Sequence, residues 1–388
     1  MRTVPAFVTL LSASFLASHV AGQVTGREIY EFSGSQYQPL GVVAGPDGVL
    51  YGMVGGGNGS VFELQPPATP GGSWTETVLY SFTGQNGDGW NEWPSLGILT
   101  VDSSGNIYGT TNGGGTYNAG IVFELQPPLA SGGAWTETVL YSFPPNGGLG
   151  GFASTEMVIV EHGVLYGVYT AGGDYGLGMV FELRPPASSS GGPWVFTTLY
   201  SFTGGGDGAF PAVLTRGPGG VLYGLAGAGG STGQGAVFEL SPPVVPGQAW
   251  TEKVLYNLLG GKAGYGAVGL VMGSDGSLYG LSVSTVFQLT PTVTGSTAWT
   301  ETTLYSLGEA DSTIVERNGT IYVTTWGGNL SFGGNLYQLQ QSQGGGPWIA
   351  TLIHQFYGYG VPWGSLVLNQ NGTLLGACLA GFIYELKP

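Results

Sequence analysis

The stretch Trp74-Thr75-Glu76-Thr77-Val78-Leu79-Tyr80-Ser81-Phe82 decides the fold, because close copies of it recur along the chain. Two shorter strings, Leu50-Tyr51-Gly52 and Val61-Phe62-Glu63-Leu64, recur with it, and the tyrosine of the first returns every 56 to 58 residues through five copies. A fixed period of this length identifies a repeat architecture before any single element is assigned. The copies of the long stretch begin at Trp74, Trp135, Trp194, Trp250, Trp299 and Trp348.

Each repeat contains four short strands, which we name a, b, c and d. Strand a ends in a hairpin signal such as Asn371-Gly372, strands b and c carry the two shorter strings, and strand d is the long stretch. Strand d alternates in sequence, which predicts that Glu76, Val78 and Tyr80 share one side. Seven such repeats predict an all-β fold, a seven-bladed β-propeller with four antiparallel strands in each blade.

The two ends of the chain predict how the ring closes. Strand d occurs only six times in the body of the chain, because the sequence stops just after the last strand c. The missing copy lies at the other end, where Arg27–Phe32 matches the end of strand d. We therefore expect the N-terminal strand to complete the last blade, which leaves no unpaired edge in the ring.

Composition excludes several classes of protein. The 75 Gly and 23 Pro among 388 residues suggest disorder, but 42% hydrophobic and 12% aromatic residues supply a large core. The net charge of −15, with only 8 Lys and Arg, argues against nucleic acid or an anionic membrane as a partner. The single cysteine, Cys378, excludes an intrachain disulfide and a thiolate metal cluster, and we expect it to be structural.

The N-terminus has the order of a secretory signal peptide. A short positive start precedes an apolar run to Ala21, and small residues lie at the predicted cleavage site before Gln23. We therefore expect residues 1–22 to be a signal peptide and residues 23–388 to be a single propeller domain. The mature protein is expected to be a secreted monomer without a membrane partner. Sequons that fit a secreted glycoprotein lie at Asn58, Asn318, Asn329 and Asn371.

The repeated strings carry a resemblance to a known family. Tyr108–Gly115 (Tyr-Gly-Thr-Thr-Asn-Gly-Gly-Gly), followed by the strand c and strand d strings, resembles the GloVer tandem-repeat proteins, a family of secreted repeat proteins. The resemblance covers essentially the whole mature chain and is strongest in the first four repeats. It implies an exported, propeller-like product, and it implies no catalytic residues, since structural repeats define the family.

Aromatic residues outside the repeated strings indicate a candidate face. Trp90, Trp93 and Trp363 lie in connections from strand d to strand a, and Trp326 lies in a connection from strand b to strand c. In a blade these two connections emerge on the same side, which we call the loop face. The tyrosines outside the repeats fall on that face as well: Tyr37, Tyr117, Tyr169, Tyr175, Tyr265, Tyr357 and Tyr359.

One position just before strand a is aromatic in six of the seven repeats. Strand a is conventionally innermost, so these residues are expected to surround the mouth of the central channel. They are candidate ligand-binding residues, together with Trp90 and Trp326. Packing of the same rings as a plug in the channel is an equally weighted interpretation. The seven residues are Tyr37, Trp93, Phe152, Phe210, Tyr265, Asp311 and Trp363.

The sequence supports little acid–base or metal chemistry. Of the two mature-chain histidines, His162 falls in a turn on the opposite face and His354 within strand d, so no Ser-His-Asp arrangement is expected. No metal-ligand spacing is present, and we expect no metal and no cofactor. Asp311 is the candidate catalytic residue, because six aromatic neighbours would raise its pKa. The other loop-face carboxylates are Asp88, Glu92, Glu156, Asp174, Asp207 and Glu309, of which Asp88 and Asp207 fit turn positions.

Three functions remain open from sequence. The first is binding of an apolar or aromatic small molecule in a central aromatic-rimmed pocket, with cofactor-free cyclisation or cycloaddition of the kind used in fungal secondary metabolism as the chemistry if it is catalytic. The second is carbohydrate binding by a lectin-like propeller. The third is cleavage of a polysaccharide by a lyase or hydrolase that uses the loop-face carboxylates. Because the ring residues differ from blade to blade, one central site is slightly favoured over repeated sites.

Overall fold

The structure is a computed structural model. It describes residues 25–33, 38–69, 71–90, 99–130, 132–145, 157–159, 163–186, 192–245, 247–259, 267–282, 285–292, 299–307, 313–326, 333–357, 360–369 and 371–388. The signal peptide predicted for residues 1–22 lies outside these ranges. In the described part, regular structure consists of strands and two short 3₁₀ turns, Pro46–Gly48 and Pro218–Gly220.

The strands follow the repeats along the chain. In chain order they are β1 (Thr25–Glu31), β2 (Gln38–Ala44), β3 (Leu50–Gly55), β4 (Ser60–Gln65), β5 (Thr75–Ser81), β6 (Gly89–Trp90), β7 (Thr100–Val101), β8 (Ile107–Thr110), β9 (Gly113–Gly114), β10 (Ile121–Gln126), β11 (Thr136–Ser142), β12 (Met157–Ile159), β13 (Leu165–Tyr169), β14 (Met179–Arg184), β15 (Val195–Ser201), β16 (Ala209–Arg216), β17 (Leu222–Ala228), β18 (Ala236–Ser241), β19 (Thr251–Asn257), β20 (Ala267–Met272), β21 (Leu278–Ser282), β22 (Thr285–Pro291), β23 (Trp299–Ser306), β24 (Ile314–Arg317), β25 (Thr320–Trp326), β26 (Gly334–Gln341), β27 (Trp348–Gln355), β28 (Pro362–Leu368), β29 (Leu374–Cys378) and β30 (Phe382–Lys387).

These strands form seven antiparallel four-stranded blades in a ring, so the predicted seven-bladed propeller is confirmed. Blade 7 has the order β1-β30-β29-β28, which confirms that the N-terminal strand completes the last blade. An ion pair secures this strand, with Arg27 Nε 2.5 Å from Glu385 Oε2. A separate two-stranded sheet joins β6 to β9 on the loop face.

The Leu-Tyr-Gly and Val-Phe-Glu-Leu strings recur because they face each other across strands b and c. In blade 2 the Tyr108 hydroxyl donates a hydrogen bond to Glu124 Oε1 at 2.7 Å. In blade 7 the tyrosine is replaced by Leu375, and the facing Glu385 is instead paired with Arg27. The facing pairs elsewhere are Tyr51/Glu63, Tyr166/Glu182, Tyr223/Glu239, Tyr279/Gln288 and Tyr322/Gln338.

The glycine of strand b is required by the phenylalanine of strand c. A Cβ atom placed on Gly109 would lie 2.6 Å from Cζ of Phe123, which is closer than real Cβ contacts come. The ring therefore lies over the glycine, and a larger residue would displace it from the core. The same contact occurs at Gly52/Phe62, Gly167/Phe181, Gly224/Phe238 and Gly280/Phe287.

The repeated aromatics form the contacts between neighbouring blades. Trp135 of blade 2 stands edge-on to Tyr51 of blade 1 at 6.3 Å between ring centroids, and Phe82 of blade 1 stands edge-on to Phe123 of blade 2 at 5.1 Å. Edge-to-face pairs of this kind add to the free energy of apolar burial. Seven clusters of buried apolar and aromatic side chains each join two adjacent blades. The Tyr–Trp pair recurs at Tyr108/Trp194, Tyr166/Trp250, Tyr223/Trp299 and Tyr279/Trp348.

Side chains along the outer strands do not alternate between the two sides without interruption. The prediction that Glu76, Val78 and Tyr80 share one side is therefore wrong. In blade 1, Val61 faces Tyr80 but the next residue, Phe62, faces Val78, so Leu79 forms a β-bulge. An extra residue reverses the side on which the following residues point. Val78 is consequently 52% exposed, whereas it was expected on the same side as Tyr80. Bulges occupy the equivalent position in all seven outer strands.

The innermost strands of blades 7 and 1 contact each other directly. The Val42 N–H donates to Ser365 Oγ at 3.0 Å, and the Ser365 hydroxyl donates to Val42 O at 2.5 Å. Gly364 lies beside them with φ of +69°, and a Cβ there would lie 2.0 Å from Leu40 O. Strand a is therefore on the inner side of the ring, as predicted, and this contact closes the ring there.

Candidate functional site

The described residues include part of the site that the sequence predicts. Phe210, Trp363 and Trp90 are described with their side chains, and Trp326 is described only as the last residue of β25. The remaining ring residues Tyr37, Trp93, Phe152 and Tyr265, and the candidate catalytic Asp311, lie outside the described residues. So do Glu92, Glu156, Glu309, Tyr359, His162 and the sequon residue Asn329.

Phe210 has a strained backbone at the predicted mouth of the channel. Its φ is +55°, a conformation that is an outlier for a bulky side chain. Its N–H donates to Leu177 O of blade 3 at 2.7 Å, and the following Pro211 O accepts a hydrogen bond from Thr170 Oγ1 at 3.1 Å. Contacts from the neighbouring blade therefore hold Phe210 in this conformation.

Trp363 and Phe210 do not occupy equivalent positions. Pro211 faces Ala226, which lies two residues after Gly224 of strand b. Pro362 likewise faces Cys378, two residues after Gly376, so the two prolines are equivalent. Phe210 precedes its proline, whereas Trp363 follows its own. The common register predicted from the sequence therefore does not hold for this pair, because the two aromatics lie two positions apart along strand a.

Trp90 is positioned firmly on the loop face. Its indole N–H donates to Asn118 Oδ1 at 2.7 Å, and the same oxygen accepts the Gly114 N–H at 3.1 Å. The ring lies against the backbone of Gly113, where a Cβ would come within 2.1 Å of Cε2 of Trp90. The indole is half-buried, so one part of a rigid aromatic surface remains open to solvent.

Three further tyrosines on the loop face are exposed. Tyr117 is 55%, Tyr175 is 63% and Tyr357 is 77% exposed. Tyr169, which the sequence placed with them, is buried instead and stacks on Phe143 with ring centroids 4.3 Å apart. The loop face thus presents separate exposed aromatic side chains above several blades.

The carboxylates Asp88 and Asp207 organise the loops that contain them. Asp88 accepts hydrogen bonds from Thr83 N at 2.6 Å and Thr83 Oγ1 at 2.7 Å. Asp207 accepts equivalent bonds from Thr203 N and Oγ1, at 2.8 and 2.6 Å. Burial acts to raise the pKa of Asp207, but these hydrogen bonds outweigh it and the pKa is lowered. The predicted turn role is confirmed for both.

Two glutamates of the repeated strand d string have an environment that the sequence did not indicate. Burial, and then the negative charge of Asp88, raise the pKa of Glu137 to about 7. Burial and Asp207 do the same to Glu252. In the sequence both are copies of one repeated residue, the glutamate that follows the tryptophan of strand d by two positions. The available signal was an Asp-Gly pair in the loop from strand d of the preceding blade to strand a, where it occurs only as Asp88-Gly89 and Asp207-Gly208.

The described histidine and cysteine are both packing residues. His354 lies in β27 against Gly26 of the closing strand, 4.6 Å from the Phe356 ring, and burial lowers its pKa. Cys378 is a buried free thiol, as expected for a structural cysteine. Within the described ranges, no group of three His, Cys, Asp or Glu could hold a metal ion. Nor does any helix there have the length and apolar character needed to span a membrane.

Fold and loop face together define a tandem-repeat β-propeller with an aromatic surface on one side. Residues 38–284 match the family model described as the Gloeobacter/Verrucomicrobia repeat, which confirms the resemblance found in the sequence. The chain belongs to this repeat family. No curated protein matches it.

Several solved structures share the fold at low identity. A catalytically inactive variant of virginiamycin B lyase from Staphylococcus aureus, with quinupristin, is 15% identical and has a TM-score of 0.59, with 94% of this chain and 100% of that one covered. The extracellular domain of a putative one component system from B. thetaiotaomicron is 12% identical, with a TM-score of 0.57 and coverage of 94% and 40%. The WD40 propeller domain of Doa1 is 12% identical, with a TM-score of 0.55 and coverage of 93% and 97%. At these identities the likeness shows the fold alone.

Proposed function

We propose that the protein binds an apolar or aromatic small molecule on the loop face, at the mouth formed by the innermost strands. The observation that carries the proposal is the strained conformation of Phe210. A bulky residue with positive φ is less stable than glycine at the same position by about 1 kcal/mol. Such strain persists where the surroundings enforce it, and it concentrates at functional sites.

The other described aromatics fit the same proposal. Trp90 and Trp363 supply rigid rings, and Trp90 is fixed by Asn118 before any ligand arrives. Preorganised aromatic surfaces bind with little loss of conformational entropy. Virginiamycin B lyase, a catalytically inactive variant of which was solved with quinupristin, shares this fold. If the site is catalytic, cyclisation or cycloaddition fits it best, because positioning supplies most of the rate in such reactions.

A carbohydrate ligand is the second candidate. The exposed Tyr117, Tyr175 and Tyr357 lie above different blades and could each stack on a sugar ring. They are distributed over the face rather than gathered at one point, as in propellers with several sugar sites. Polysaccharide cleavage ranks third, because Asp88 and Asp207, two of the three described loop-face carboxylates, are occupied by hydrogen bonds within their own loops.

The test compares Phe210→Gly with Phe210→Ala. Glycine relieves the strain and alanine does not, so we expect Phe210→Ala to be less stable than Phe210→Gly by about 1 kcal/mol. Neither should approach the loss of about 3–5 kcal/mol typical of a buried phenylalanine. Both should lose most of the binding of 1-anilinonaphthalene-8-sulfonate, a probe for apolar sites, in a fluorescence titration of the purified protein.

The matched control is Leu129→Ala, which removes an exposed leucine in a connection between strands c and d on the opposite face. Its probe binding should equal that of the wild type. Equal binding by Phe210→Gly, or no binding by the wild type, would contradict the proposal. Large destabilisation by both Phe210 variants would show that the ring is a plug. Binding on a glycan array that is lost with Tyr117→Ala and Tyr175→Ala would instead establish the carbohydrate candidate.

Secretion and N-glycosylation are part of the same proposal. Asn58, Asn318 and Asn371 are exposed, and the last two lie in turns between strands a and b, on the side opposite the loop face. On expression in a eukaryotic secretory host, we expect enzymatic removal of N-glycans to lower the mass of the protein. The mass change should shrink with Asn318→Gln and again with Asn371→Gln. An unchanged mass would contradict glycosylation.

A further inference from the structure

The outer strands of neighbouring blades meet in a repeated contact that varies around the ring. Between blades 7 and 1, the Tyr30 hydroxyl donates to Glu76 Oε2 at 2.7 Å. Between blades 2 and 3 the glutamate is replaced by Phe196, which stacks on Tyr141 at 4.0 Å. The same position therefore holds a tyrosine–carboxyl pair in one interface and an uncharged aromatic stack in another.

The interfaces between blades 1 and 2 and between blades 3 and 4 each contain a second carboxylate. In the first interface, Glu137 of blade 2 lies opposite two residues of blade 1. These are Tyr80 in its outer strand and Asp88 in the loop that follows. In the second, the Tyr200 hydroxyl donates to Asp207 Oδ2 at 3.0 Å, and Glu252 of blade 4 faces this pair. The two clusters are equivalent in the repeat, and each joins two blades.

The aspartate and the glutamate of each cluster have different surroundings. The oxygens of Asp88 accept hydrogen bonds from Thr83 and from the Gly89 N–H, and those of Asp207 from Thr203 and Tyr200. The Oε1 atoms of Glu137 and Glu252 are buried and have no hydrogen-bond partner. A buried carboxylate oxygen without a donor is unfavourable when ionised, whereas a neutral carboxyl is tolerated there.

We propose that these two blade interfaces form a pH-sensitive lock, held together by neutral Glu137 and Glu252 in acidic medium and loosened when both ionise as the medium becomes alkaline. The titratable groups that face Glu137 are Tyr80 and Asp88, and those that face Glu252 are Tyr200 and Asp207, with Tyr175 near Tyr200. On their own sheets the residues opposite them are the apolar Leu125 and Leu240. Each glutamate thus lies between an apolar residue of its own sheet and a carboxylate from the neighbouring blade, Asp88 or Asp207.

The direction of the pH effect follows from linkage. The pKa of each glutamate lies at about 7 in the folded protein, above the value of 4.5 for a free side chain. The folded state therefore binds more protons than the unfolded state between these values, so its stability falls as the pH rises. The contribution is complete below about pH 4.5 and is lost as the pH passes through 7. This is opposite to the usual behaviour of a salt-bridged carboxylate.

The experiment measures the melting temperature of the full chain at pH 5 and pH 8. We expect the wild type to melt about 5 °C lower at pH 8, a shift of the size that a small loss of stability produces in a large domain. Because glutamine is neutral and similar in shape to a protonated glutamate, the double variant Glu137→Gln/Glu252→Gln should lose at least half of this shift and melt above the wild type at pH 8.

The control Glu76→Gln alters the equivalent residue in the interface between blades 7 and 1, where no second carboxylate is described, and should keep the full shift. A wild type whose melting temperature is flat or rises between pH 5 and pH 8 would overturn the proposal. So would a double variant that keeps the whole shift. Should the double variant fail to fold, ¹³C NMR of glutamate carboxyl groups in the wild type decides instead: two signals must titrate near pH 7, and their absence refutes the lock.

Discussion

Deletion of residues 23–32 is expected to unfold the protein or to lower its stability by more than about 5 kcal/mol. The deletion removes β1, so β30 loses its partner along the whole outer edge. It also removes Phe32, which packs edge-on to Phe62 of blade 1 at 4.9 Å between ring centroids, and it leaves the buried Glu385 without Arg27. Loss of a buried phenylalanine alone typically costs about 3–5 kcal/mol.

Thermal unfolding followed by circular dichroism measures this effect. Arg27→Gln serves as the graded control, because it removes the ion pair but keeps the strand. A synthetic peptide covering residues 23–33, added to the shortened protein, should restore part of the melting temperature by pairing with the exposed edge of β30. If the shortened protein melts at the wild-type temperature, β1 does not close the ring in the way that its pairing indicates.

Gly364→Ala is expected to be the most damaging single substitution in the inner wall, with a loss of about 3 kcal/mol or more. The added Cβ would lie 2.0 Å from Leu40 O and 2.9 Å from the Gly41 Cα, and backbone atoms cannot move aside as a side chain can. The positive φ of 69° adds about 1 kcal/mol for any residue with a Cβ. The substitution forces apart the strands that Ser365 and Val42 hold together.

Gly372→Ala in the same blade is the matched control. Gly372 also has a positive φ, of 81°, but its surroundings are open, with nothing within 4 Å of an added Cβ. Gly372→Ala should therefore lose only about 1 kcal/mol, which is what a positive φ costs a residue with a Cβ. Urea unfolding of both variants separates the two effects. If they lose the same free energy, the contact between blades 7 and 1 tolerates a Cβ at Gly364, and the inner closure is looser than its geometry indicates.

The sequence predicted the architecture well because the repeat copies each packing contact several times. Tyr51, Gly52 and Phe62 are conspicuous as strings, and the structure shows that each contacts a partner within its blade or in the next one. The β-bulge at Leu79 was not predictable in this way, because an extra residue that is present in every copy leaves the strings aligned. The sequence therefore placed Val78 and Tyr80 on the same side of strand d, whereas the bulge between them puts them on opposite sides.

The candidate site was harder to predict because its residues are the ones that do not repeat. Loop lengths before strand a differ, so the position of an aromatic relative to strand b cannot be read from the sequence. Phe210 and Trp363 consequently fall on either side of equivalent prolines. The carboxyl clusters were missed for the opposite reason. Glu137 and Glu252 repeat like their neighbours, and what sets their environment is contact with Asp88 and Asp207 from the preceding blade.

The pairing of β1 with β30 also constrains the order in which the protein can fold. Arg27 and Glu385 are 358 residues apart. During synthesis β1 therefore stays unpaired until almost all of the remaining chain has been made. An unpaired strand is an aggregation hazard during such a delay. Three of the seven residues of Thr25–Glu31 are charged, against 8% of the chain as a whole. Charged residues of this kind oppose aggregation of an unpaired strand, and here they keep β1 soluble until β30 has been synthesised.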